Sequence, residues 1–174
     1  LVFAGGEPAN GVAIPSPPPL SGRPLRALCA HRVRDGAQWE PRHKVTQIAR
    51  RYWSDWCTVL DQEVSEAEFE DLIMQHSFVI CVEGGGLDPS PKAWHSILFG
   101  SIPIIRETPT AAAYRQLPVA VTPDWRPELI TIERLAQWRD ALSPQQDVAE
   151  NRRETVHRLG LDYWWDQICS ELGD

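Results

Sequence analysis

Ser77 to Ile105 reads SFVICVEGGGLDPSPKAWHSILFGSIPII, and the changes of pattern along it decide the fold. SFVICVE (Ser77–Glu83) is apolar at successive rather than alternate positions, the mark of a strand covered on both faces. Glycines 84–86 interrupt the run, and a helix is expected from about Pro91 to Phe99, ended by Gly100. IPIIRE (Ile102–Glu107) follows as another buried strand, with Pro103 near its start because proline offers the ladder no donor. A strand, a crossing helix and a second strand make a βαβ unit, so the two strands run parallel.

The alternation continues on either side. LRALCAHRV (Leu25–Val33) reads as a first strand after a proline. Val45, Ile48, Ala49, Tyr52, Trp53 and Trp56 recur at the spacing of one helical face, which predicts an amphipathic helix from Glu40. CTVLD (Cys57–Asp61) is a second strand, and Ser65 with Glu68 forms a capping box for a helix running to about Gln75. LPVAVTP (Leu117–Pro123) supplies a fifth strand, with helices expected over 131–142, 145–159 and 161–172. The fold class is therefore α/β: a Rossmann-like parallel sheet with helices on both faces, over residues 25–174. Residues 1–24 carry Pro8, Pro15, Pro17, Pro18, Pro19 and Pro24 and read as a Pro/Gly-rich connector, extended rather than packed.

Composition excludes several functions. The 174 residues carry a formal charge of -7, which argues against nonspecific binding to nucleic acid or anionic membrane. Cys29, Cys57, Cys81 and Cys169 lack metal-site spacing and read as free thiols, so no metal is expected. No apolar run approaches the roughly 20 residues of a transmembrane helix, and the chain as seen reads as soluble. It opens on Leu1 with no basic leader, so it reads as a piece of a longer protein working in the cytoplasm or a secretory lumen.

The chemistry concentrates in the stretch quoted first. In an open parallel sheet, ligands bind outside the carboxyl ends of the strands. Gly84, Gly85 and Gly86 sit at such an end and lead into a helix start, where backbone N–H groups and the helix dipole favour an anion. Ser90 and Lys92 belong to the same turn, and Lys92 adds a cation. A phosphate or diphosphate fits. The pattern is neither G-x-G-x-x-G nor a P-loop, and no G-x-S-x-G elbow occurs, so an NAD site, a P-loop NTPase and a hydrolase are set aside. His31 and Arg32 end the first strand on the ligand side, and Glu83 is a candidate cleft carboxylate. Trp94 and Trp125 are candidates either for stacking on a base or sugar or for the core.

SPKAWHSILFGSIPII (Ser90–Ile105) resembles, without a gap, the exostosin-type glycosyltransferase pattern S-P-R-x-x-E-A-x-x-x-G-x-x-P-V-I. FVICVEGGGLD (Phe78–Asp88) is similar to that family's F-x-x-x-P-x-G-x-G-x-D, LPVAVTPDW (Leu117–Trp125) to its L-P-V-x-x-x-x-x-W, and LGLDYWWDQI (Leu159–Ile168) to its closing L-T-x-x-Y-W helix. The resemblance implies the C-terminal, nucleotide-sugar-binding half of a GT-B glycosyltransferase. Such an enzyme transfers a hexosyl- or glycuronosyl-type sugar from a UDP- or GDP-sugar to a glycan acceptor hydroxyl without a metal or other cofactor. It also implies donor-binding roles for Gly84, Gly85, Gly86, Ser90, Lys92, His95 and Arg42, to which the strand-end position adds Arg32, and a partner N-terminal domain supplying the catalytic base. Lys92 stands where the family has Arg, and His95 stands where it has the Glu that holds the donor ribose. An imidazole replaces only part of a carboxylate's accepting capacity. The alternative expectation is a catalytically degenerate exostosin-like domain acting as a binding module.

Overall fold

The computed structural model of the chain describes residues 14–31, 36, 39–84 and 91–172. Strands β1 (Ala27–Cys29), β2 (Cys57–Val59), β3 (Phe78–Ile80), β4 (Ile102–Arg106) and β5 (Ala120–Thr122) form one sheet in the order β2-β1-β3-β4-β5, parallel throughout. Helices α1 (Glu40–Tyr52), α2 (Glu66–Gln75), α3 (Pro91–Leu98), α4 (Ile132–Leu142), α5 (Pro144–Asp147), α6 (Ala149–His157) and α7 (Leu161–Leu172) connect and cover it. Pro103 pairs with Val79, one residue into β4, as its missing donor requires.

Successive residues of each strand point to opposite faces, and each face has its own core. On one side Ala27, Cys29, Phe78, Ile80, Ile102 and Ile104 pack with Val45, Ile48 and Ala49 of α1 and Leu135 of α4. On the other, Leu28, Val79, Cys81 and Ile105 meet Ile73 of α2 and Ala93 and Ile97 of α3. This two-sided burial explains why the strands are apolar without a break. The expected capping box is present: Ser65 Oγ accepts from the Glu68 amide, and Glu68 accepts from the Ser65 amide. Gly100 ends α3 at φ +78°, and a Cβ there would stand 2.4 Å from Pro17 Cγ.

Two expectations need correction. The described part of the leading segment, residues 14–24, is packed rather than merely extended: Leu20 is fully buried in the first core. Arg23 donates to the carbonyls of Pro18, Ile73 and His76 and to Ser101 Oγ. Burial pulls the Arg23 guanidinium down to about 10, with Asp147 opposing. The single helix expected over 145–159 is divided at Val148, which is extended at φ -85°, ψ 119°. The Asp147 carboxylate is drawn toward the preceding segment, where it accepts from the Leu20 and Ser21 amides. The α5–α6 break and the packed leading segment thus share one tertiary contact.

Candidate functional site

The chain leaves β1 toward β2 on one side and returns to β3 on the other, so the crevice lies between the carboxyl ends of β1 and β3. A cleft of ≈ 690 Å³ opens there between α1, α2 and α3. Ala30 and His31 form its floor, Arg42, His43 and Thr46 its α1 wall, and Lys92 and His95 its α3 wall. The α2 side brings Glu66 and Phe69. Arg50 and Asp61 pair at 2.5 Å on the rim, both well exposed, so that pair contributes little to stability. A second depression, of ≈ 820 Å³ and lined by Tyr52, Trp53, Trp56 and Pro127, adjoins the amino end of β2 instead.

Lys92 stands on the first turn of α3 and reaches across to β1. Its ammonium donates to the Ala30 carbonyl and lies 3.3 Å from His31 Nδ1. An ammonium can only donate, so Nδ1 of His31 is the accepting nitrogen and the ring proton sits on Nε2. That Nε2 is shielded from solvent and meets no protein partner. Burial pushes the His31 pKa below its ordinary value, against the raising influence of Cys29, so the ring is a neutral donor near pH 7. Beneath it, the Cys29 thiol is held well below the usual thiol range, chiefly by a hydrogen bond from Cys57, with His31 and Lys92 adding to the effect against burial. The same bond, with burial, pushes the Cys57 thiol up.

Arg42 is 9% exposed, so it is not a solvated helix-end arginine. Its Nε donates to the Glu83 carbonyl at 3.2 Å, and its guanidinium lies 4.7 Å from the Trp39 ring centroid. Gly84 is glycine because the chain passes close beside that side chain: a Cβ there would sit 2.8 Å from Arg42 Nη2. His95 follows Lys92 by one turn, packs edge-on to Phe99, and has a buried Nε2 with no partner. Gly84, Lys92, His95 and Arg42 are therefore gathered at the carboxyl ends of β1 and β3, while Gly85, Gly86, Ser90 and Arg32 lie outside the described residues.

Three other sequence candidates serve packing. Glu83 is buried, and its carboxylate accepts from Arg106 Nε and from Trp125 Nε1 at 3.0 Å. Trp125 is accordingly a core residue. Trp94 packs on Tyr114, with ring centroids 4.9 Å apart, and on Trp164. Sequence reasoning missed the α2 wall: Glu66 and Glu70 are four residues apart, on one face of a helix recognised only for its cap. The available signal was that spacing.

Cys29, Cys57 and Cys81 are buried free thiols, as expected, and Cys169 is an exposed one. Among the described residues, no helix is long and apolar enough to cross a membrane. A scan against protein-family models finds no match for the chain, and a search of curated proteins finds none either.

Proposed function

We propose that this chain is the nucleotide-sugar-binding domain of an exostosin-like glycosyltransferase, with the donor diphosphate seated in the β1/β3 cleft. The observation that carries the reading is the convergence of the Lys92 ammonium and the unpartnered His31 Nε2–H at the start of α3. A cation, a neutral imidazole and a helix N-terminus at one crevice suit an oxygen-rich anion. In the transfer, the bond between the anomeric carbon and the diphosphate oxygen breaks while the acceptor hydroxyl oxygen bonds to that carbon. The released diphosphate gains negative charge, which Lys92, His31 and the α3 amides stabilise. The hydroxyl proton passes to a base supplied from outside this domain.

Calorimetric titration with UDP, GDP and their sugar conjugates tests the proposal. Binding is expected to weaken at least about tenfold in Lys92→Met and in His31→Phe, each removing a charge-assisted or buried donor. Absence of binding by the folded protein at about 1 mM of every nucleotide refutes it. His95→Glu separates an active domain from a degenerate one. Nucleotide binding created where there was none marks the native domain as a binding module, while weakened binding marks His95 as a working donor ligand.

A further inference from the structure

The α2–α3 side of the cleft holds a second set of groups, of which only His95 enters the nucleotide reading. Glu66 and Glu70 project from one face of α2, four residues apart, and His95 faces them from α3. One ligand atom from each lies within 4.8 Å of the other two. Glu66 is exposed, whereas Glu70 and His95 are half-buried. The imidazole also retains capacity that the protein leaves unused, since Nε2 is shielded from solvent and has no hydrogen-bond partner.

Each group has an ordinary explanation, and together those explanations fall short. Glu66 in the first turn of α2 favours the helix dipole, but the cap itself is made by Ser65 and Glu68. Glu70 lies a turn further on, where that benefit has faded. The side chain the two carboxylates share is an imidazole with an unsatisfied nitrogen, and a divalent cation would be a common partner for all three.

We infer that Glu66, Glu70 and His95 form a site for a divalent transition-metal ion at the mouth of the cleft. Two carboxylates and one imidazole match the preferences of Mn²⁺, Fe²⁺ and Zn²⁺ better than those of Mg²⁺ or Ca²⁺, which favour all-oxygen sets. Ligands at about 2.1 Å from a common ion stand about 3–3.5 Å apart, so closing the set takes only a small side-chain movement. The two carboxylates balance the ion's charge. Three protein ligands leave further coordination positions for water or for an oxygen of a molecule in the cleft. The inference shares His95 with the nucleotide reading but not Lys92 or His31, and metal binding is measured with no nucleotide present, so the failure of one is distinguishable from the failure of the other.

The test is titration of the whole chain with MnCl₂, followed by the electron paramagnetic resonance of free Mn²⁺, and with ZnCl₂, followed by thermal shift. Binding of at least one ion is expected below about 1 mM, with a rise in Tm because the ion binds only the folded state. Glu66→Gln is expected to weaken it at least about tenfold, and His95→Ala to abolish it. Glu66 is exposed, so its variant keeps the fold even if His95→Ala does not, and metal-free circular dichroism checks both. Three results overturn the site: no binding of either ion, affinity unchanged in Glu66→Gln, or binding lost only in Cys169→Ser.

Discussion

Replacing Glu83 by alanine tests whether this carboxylate holds the sheet together or belongs to the cleft. Glu83 lies just past the end of β3, 8% exposed, and ties β4 to the turn after β5 through Arg106 and Trp125. Its removal strands the indole N–H of Trp125, itself 4% exposed, at a cost of about 1–3 kcal/mol for an unsatisfied buried donor. Arg106 is 42% exposed on its side chain and regains water, so losing that ion pair adds only about 0–1 kcal/mol. The expected loss is about 2–3 kcal/mol, read from urea unfolding followed by tryptophan fluorescence. In a Trp125→Phe background the indole donor is already gone, so the same change should cost about 1 kcal/mol or less. A loss below about 0.5 kcal/mol, or equal losses in both backgrounds, refutes the tie. A fall in nucleotide affinity without loss of stability would return Glu83 to the cleft.

Other expectations follow from the same geometry. Gly100→Ala forces a Cβ into Pro17 at a positive φ, and urea unfolding should show a loss of about 2–4 kcal/mol, with a smaller loss if Pro17 is also changed to Gly. Ser65→Ala removes the acceptor for the Glu68 amide and should cost about 1 kcal/mol by thermal unfolding. Burial lowers the pKa of His31 and of His76, whose Nδ1 donates to the Leu72 carbonyl. Below about pH 6.5 the unfolded chain takes up protons that these folded histidines refuse, so stability falls with pH through that window and levels off once the lowered folded values are passed. The slope is up to about 1.4 kcal/mol per pH unit for each site, and His76→Gln should flatten it, as measured by urea midpoints between pH 7 and 5.

Much of the fold was legible because the signals were local. The Ser65–Glu68 cap, the Gly100 stop and the unbroken apolar strands each depend on a few neighbouring residues. The candidate site was legible to the extent that strand ends and helix starts could be counted: Lys92, His31, Arg42 and Gly84 do meet at the β1/β3 crevice. Contacts across many residues of chain were not legible. Asp147 reaching Leu20 accompanies the break in a helix expected to run over 145–159, and Trp125 reaching Glu83 converted a cleft candidate into a core anchor. Arg42, amphipathic and charged, gave no sign in sequence that its guanidinium would be buried beneath Glu83 and Trp39.

By itself, then, the sequence determined the parallel α/β class and marked the carboxyl ends of the strands as the candidate site, since both follow from hydrophobic period and the order of elements. Tertiary structure alone decided which polar groups around that place have partners. A side chain's partners depend on distances between segments far apart in the chain, and no local pattern encodes them. Hence Glu83 is consumed by two donors, whereas His31 and His95 keep buried nitrogens without partners. The pairing of α2 with α3, which brings Glu66 and Glu70 to His95, is likewise set by packing on the second core.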